Sequence, residues 1–146
     1  MQSDHIRSLQ IVLASARPDD FSALSEILFG SRWELVAVAN LEDAEKELHR
    51  ITLPIVFCDQ ALAERSLKRA IHHLSRVRRR ACVVMLADEF SRRLWAEVVN
   101  ADGYDLLARP FERDQVVATL LAAYAHCRPH QRAVPASAGI PVVSSI

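Results

Sequence analysis

The sequence predicts an α/β fold, a doubly wound five-stranded parallel sheet with helices on both faces. Three observations predict it. Short, near-continuous apolar runs alternate with longer stretches of helical period, and the alternation repeats five times. The runs are apolar on successive residues, as strands covered on both faces must be. Each run is followed by a helical stretch long enough for a parallel crossover, and right-handed crossovers then leave the sandwich as the economical arrangement.

The elements follow in order. Leu9–Ala14 (LQIVLA) reads as a buried strand. Pro18, Asp19 and Asp20 open a helix, with proline and acids suited to a first turn. Phe21, Leu24 and Leu28 give that helix its apolar stripe, and Gly30 stands where a C-terminal cap belongs. Residues 33–39 form a second strand. Asn40 caps the next helix, with Asp43 three residues on and a stripe of Leu41, Ala44 and Leu48. Residues 53–58 (LPIVFC) are a third strand, and Leu67, Ala70, Ile71, Leu74 and Val77 mark a third helix. Residues 81–87 (ACVVMLA) are the fourth strand, and Leu94, Trp95, Val98 and Ala101 mark the fourth helix. Residues 104–108 are a short fifth strand stopped by Pro110. Val116, Val117, Leu120, Leu121 and Tyr124 mark the fifth helix.

The chain has 146 residues, which fits one domain over 1–127, followed by a flexible tail or linker over 128–146. That last stretch has three prolines, no acid and no helical period. Hydrophobic residues make up 51% and charged residues 25%, enough for a packed core. Eighteen basic and eighteen acidic side chains cancel, which argues against nucleic acid as the partner. Only three glycines are present, too scattered for a phosphate-cradling loop. Three widely spaced cysteines form no CxxC pair, so a disulfide framework or zinc site is not expected and a cytoplasmic location is. Residues 1–10 lack a signal-peptide core, and no apolar run is long enough to span a membrane.

In a doubly wound sheet the site lies beyond the carboxyl ends of the strands. That rule points to Ser15, Ala16 and Arg17, to Asp59, to Ala87 and Asp88, and to Arg109 and Pro110. Five strand-helix units, PIVFCD ending in Asp59, VVMLA on the fourth strand and LLARPF before the fifth helix together resemble the receiver domain of bacterial two-component response regulators. The resemblance covers about residues 8–126 and implies a flavodoxin-like sandwich. It also implies a phosphoryl-accepting aspartate after the third strand, an acidic pair holding Mg²⁺, a Thr or Ser after the fourth strand, an aromatic switch in the fifth, and a Lys before a cis-proline.

Carried over residue by residue, only Asp59 keeps its type. The acidic pair falls on Ser15 and Ala16, the hydroxyl on Ala87, the aromatic on Leu106, and the lysine on Arg109 before Pro110. The chain thus resembles a degenerate, or pseudo, receiver. Mg²⁺ needs hard oxygen ligands that include carboxylates, so the metal site is expected to be absent or weak at Asp59. Arg109 is expected to pair with Asp59 directly. Asp19, Asp20 and Asp88 are the possible substitute acids, although first-turn acids suit the helix dipole alone and Asp88-Glu89 suit a helix cap.

Cys58 lies one step from Asp59 and so faces the other side of the sheet. His72 and His73 diverge around a helix and do not chelate together. Charge is segregated. Residues 65–80 carry seven basic side chains and no acid, while residues 34–47 carry five acids against Lys46.

The expected function is a non-enzymatic, phosphorylation-independent interaction module in signal transduction, with no cofactor. The alternative is a phosphorelay receiver that takes a phosphoryl group on Asp59 from a histidine kinase with Mg²⁺. Partners implied by the resemblance are a histidine kinase, an output module, or a second copy. The surface for them is the face of the fourth helix, fifth strand and fifth helix, with Arg92, Arg93, Trp95, Glu112 and Tyr124.

Overall fold

The structure, a computed structural model, describes residues 8–63 and 65–128. Five strands, β1 (Leu9–Ala14), β2 (Trp33–Val38), β3 (Ile55–Asp59), β4 (Cys82–Ala87) and β5 (Asp105–Ala108), alternate with five helices. These are α1 (Pro18–Leu28), α2 (Leu41–Arg50), α3 (Leu67–Ser75), α4 (Arg92–Asn100) and α5 (Arg113–Cys127). All four strand pairings are parallel and the order is β2-β1-β3-β4-β5. This is the doubly wound sandwich the alternation predicts. The order reverses between β1 and β3, and the chain leaves these two strands toward opposite faces. This switch point, at the carboxyl ends, is where such sheets place their sites.

Successive strand residues enter two separate cores. Ile11, Leu13, Ile55, Phe57, Val84 and Leu86 face α1 and α5. Val12, Val56, Cys58, Val83, Met85 and Leu106 face α2, α3 and α4. Burying Phe57 alone is worth roughly 1.5–3 kcal/mol. Asp59 shares the parity of Ile55 and Phe57, so β3 aims it at the α1 side. A one-residue slip of β3 would turn it away and bring Cys58 in its place.

Side chains close the helix ends as their types suggest. Asn40 Oδ1 accepts from the Asp43 amide at 2.8 Å. Ser66 Oγ accepts from Arg69 and Ser91 Oγ from Leu94, at the starts of α3 and α4. Gly30, at φ 84°, takes the left-handed conformation that glycine adopts without strain.

Several expectations need correction. β3 starts at Ile55, not at residue 53, because Pro54 has no amide hydrogen for the ladder. The Leu53 carbonyl instead closes a tight turn to the Ile55 amide at 2.8 Å. β2, β4 and β5 are each one residue shorter than read. In α1 the inward stripe is Asp20, Leu24 and Leu28, while Phe21 is 44% exposed. Asp88 and Glu89 do not cap α4, since Ser91 does. Tyr124 does not join the face around α4. It packs edge-to-face on Trp33 of β2, ring centroids 6.4 Å apart. The expected tail lies, past Arg128, outside the described residues. Among the described residues no helix is long and apolar enough to cross a membrane.

Candidate functional site

The carboxyl ends of β1, β3, β4 and β5 bring one cluster of charge together. Its centre is Arg109, the residue after β5. The Arg109 amide donates to the Ala87 carbonyl at 2.8 Å, which ties the ends of β4 and β5 together. The following Arg109–Pro110 peptide bond is cis. From this anchor the guanidinium reaches back toward α1 and the end of β3. Its Nε and Nη2 donate to Oδ1 and Oδ2 of Asp20, each at 2.8 Å, a fork-to-fork pair. The same Nη2 lies 3.0 Å from Asp59 Oδ1. Nη1 donates to Asp88 Oδ1 at 3.2 Å. The guanidinium carbon also sits 5.8 Å from the centroid of the Phe111 ring.

A second cation completes the arrangement. Arg17, between β1 and α1, places Nη1 3.0 Å from Asp88 Oδ1, and its Nε stands 4.0 Å from Asp59 Oδ2. Ser15 organises this corner. Its hydroxyl donates to Asp20 Oδ2 at 2.7 Å and accepts from the Arg17 amide at 3.0 Å. Asp59 Oδ1 accepts in addition from the Ala61 amide at 3.2 Å. Asp20 and Asp59 are both 2% exposed. Two guanidiniums thus face three carboxylates, two of them buried.

The electrostatics follow from those contacts. Burial pushes the Asp20 carboxyl up, but hydrogen bonds from Arg109 and Ser15 outweigh it and hold the group below its ordinary value. Hydrogen bonds to Asp20, and then to Asp59, raise the Arg109 pKa against the effect of burial. Hydrogen bonding to Arg17 holds exposed Asp88 below the usual carboxylate value.

The sequence-predicted positions divide into groups. Asp59, Arg109, Ser15, Asp20 and Asp88 meet in the cluster. Pro110 holds the cis bond. Ala87 contributes only its carbonyl. Ala16 is exposed and brings no polar side chain. Asp19 is exposed on the outer side of the α1 first turn, away from the cluster. Leu106 lies fully inside the core under α2, α3 and α4. Among the described residues no group of three or more His, Cys, Asp or Glu is arranged to hold a metal ion.

Sequence reasoning missed two things. Arg17 stands at a strand end that the topology singles out, yet no role was read for it. Asp20, read only as a substitute metal acid, is instead the strongest partner of Arg109. Its signal was its spacing, four residues before Leu24 and eight before Leu28, which is the buried phase of α1.

The remaining sequence candidates are placed outside the cluster. Cys58 is buried in the opposite core, and burial, with the Asp59 charge beside it, pushes its thiol up to about 12. His73 pairs with Glu45 of α2 at 2.8 Å and His72 with Asp102 after α4 at 3.5 Å, so the two histidines diverge. In the basic stretch Arg78 donates to the carbonyls of Leu48, Ile51 and Thr52, at 2.9, 2.6 and 3.2 Å. Arg65, Lys68, Arg69, Arg76 and Arg79 stay exposed.

No protein-family model and no curated protein matches this sequence. Solved structures do match in fold. A two-component response regulator from Clostridium difficile superposes with a TM-score of 0.69 at 15% identity, over 81% of this chain and 97% of that one. A response regulator from Thermotoga maritima gives a TM-score of 0.71 at 19% identity, over 81% and 98%. The beryllofluoride-activated NtrC4 receiver domain dimer gives 0.69 at 17%, over 80% and 97%. At such identities the likeness is one of architecture, and with the strand order it shows that this chain has the receiver fold, the flavodoxin-like sandwich of response-regulator receiver domains.

Proposed function

We propose that the chain is a degenerate receiver domain that works in signal transduction as a phosphorylation-independent interaction module. One observation carries this reading: the Arg109 guanidinium stands between Asp20 and Asp59 and bonds to both. Magnesium does not fit that donor set. Ser15 and Ala16 bring no carboxylate, and the buried oxygens of Asp20 and Asp59 already face a fixed cation. Near-octahedral coordination by hard oxygens would require expelling it. Phosphoryl transfer further needs cationic groups that are free to take up the developing charge. Here both guanidiniums are matched to carboxylates, and Ala87 offers no hydroxyl. The pairing holds the site in one conformation, where a receiver that cycles needs two.

The test is titration with Mg²⁺ and beryllofluoride, and with a small phosphodonor. The expected result is no saturable binding and no phosphate incorporation. Saturable binding, or incorporation that disappears in Asp59→Asn, overturns the reading. That result would favour phosphorylation of Asp59 by a histidine kinase, with Asp20 supplying the carboxylate that Ser15 and Ala16 lack.

The surface we assign to a partner is the α4 side of the face formed by α4, β5 and α5. Trp95 and Val99, one turn apart on α4, are 43% and 37% exposed, and Phe90 just before the helix is 54% exposed. Exposed aromatic residues beside arginines are what interfaces concentrate. A second copy of the chain is the occupant favoured here, in line with the receiver dimer among the structural neighbours. In sedimentation, Trp95→Ala is expected to shift the chain toward monomer by tenfold or more in dissociation constant, the size of a central aromatic anchor. An unchanged sedimentation profile would rule this surface out.

A further inference from the structure

At the opposite pole of the sheet from Asp59, the first residue of β4 and the last of α5 are both cysteines. Cys82 and Cys127 are 45 residues apart in sequence, yet their sulfurs lie 3.0 Å from each other. That is inside ordinary van der Waals contact and longer than a bond. Both are free thiols. Cys82 is fully buried, while Cys127 keeps 5% of its surface open to solvent. The Cys127 sulfur also lies 3.0 Å from the Arg80 carbonyl and 3.8 Å from that of Pro54. The loop that holds it carries Arg78, Arg79 and Arg80.

We propose that Cys82 and Cys127 form a reversible oxidation site, in which a peroxide joins them as a disulfide within one chain. Cys127, the less buried of the two residues, attacks the peroxide oxygen. The O–O bond breaks, water leaves, and a sulfenic acid remains on Cys127. The Cys82 sulfur, already in contact, then attacks the Cys127 sulfur. The S–S bond forms, the S–O bond breaks, and a second water leaves with the Cys82 proton. The two sulfurs lose two electrons together, the peroxide gains them, and a dithiol reductant reverses the change.

Three features favour this site over ordinary buried thiols. The sulfurs are already in contact at 3.0 Å and need close by only about 1 Å to reach the length of a disulfide bond. The hydrogen bond between the thiols and the positive charge of Arg78 and Arg80 hold the Cys127 thiol below its ordinary value, which favours the reactive thiolate. The third cysteine, Cys58, is held in the opposite core as an unreactive thiol and serves as an internal control. The bond would close β4, α4, β5 and α5 into one covalent loop and fix the end of α5, from which the chain continues.

The experiment treats the full chain with hydrogen peroxide and follows intact mass and titratable thiols in denaturant. Three thiols are expected to fall to one while the mass drops by two hydrogens, and dithiothreitol restores both. Peptide mapping is expected to join Cys82 to Cys127. Cys58→Ser gives the same loss of two thiols. Cys82→Ser halts at a sulfenic acid on Cys127 that a dimedone probe captures. The inference is overturned if all three thiols persist, if oxygen is added to the wild type with no bond formed, or if the map shows Cys58 or a link between two chains. The wild-type map decides the pairing even where a serine variant fails to fold.

Discussion

Arg109 is the residue on which the site balances. Its side chain is 13% exposed and its partners Asp20 and Asp59 only 2% and 3%. Removing it leaves two carboxylates buried without their cation, which costs about 3–5 kcal/mol. Arg109→Ala is expected to lower the urea midpoint accordingly. Arg109→Lys should recover only part of the loss, because an ammonium cannot reproduce the two-pronged contact with Asp20. Acid behaviour follows from Asp20. Its folded pKa lies below the ordinary 3.8. Its stabilising contribution is therefore complete above that value and drains away as pH falls through the folded pKa. Asp20→Asn, less stable at neutral pH, is expected to lose stability less steeply as pH falls below the ordinary carboxyl value of 3.8. Equilibrium unfolding at several pH values measures the slope. Asp59 and Arg109 were legible in the sequence because a residue that ends a strand has little choice of position. Asp20 was legible only as one of several substitute acids, because an acid in a first turn already has an explanation in the helix dipole. Only the inward phase of α1 distinguishes it from Asp19.

At the scale of elements, type and order were readable throughout and boundaries less so. A central strand declares itself by a solid apolar run, as VVMLA does in β4. Its ends depend on ladder bonds that composition does not encode, as Pro54 shows at β3. The basic stretch over residues 65–80 illustrates a different limit. Its charge suggests a surface for ligands, yet Arg78 serves the fold. With its carbonyl bonds at the end of α2 it supplies the donors that the last helical turn lacks. Arg78→Ala is expected to cost about 1–3 kcal/mol, read from thermal or urea unfolding, whereas Arg79→Ala at an exposed position should stay within about 0.5 kcal/mol. Gly103, between α4 and β5, has a separate constraint. A Cβ there would stand 2.5 Å from Val98 Cγ1 and 2.7 Å from the Val98 carbonyl oxygen. Gly103→Ala is expected to displace the end of α4 and lower the melting temperature.

For the molecule as a whole, the sheet separates two cores, and the chain places its two chemically distinctive clusters at opposite poles. Carboxylates and guanidiniums gather at the carboxyl ends of the strands, and two thiols meet at the amino end of β4. Neutral overall charge conceals this division, just as it conceals the acidic and basic segments on α2 and α3. The guanidinium at the carboxyl pole also differs in kind from a dissolved ion. It is made with the chain, one per molecule, and its local concentration is fixed by a covalent tether. A chelator cannot strip it and dilution cannot release it. The unfolding midpoint is therefore expected to be the same in EDTA and in millimolar magnesium, and a shift on chelation would show that the tether is not what holds the site. The charge on this cation is thus supplied when the chain is made, where a bound ion would have to be resupplied from solution.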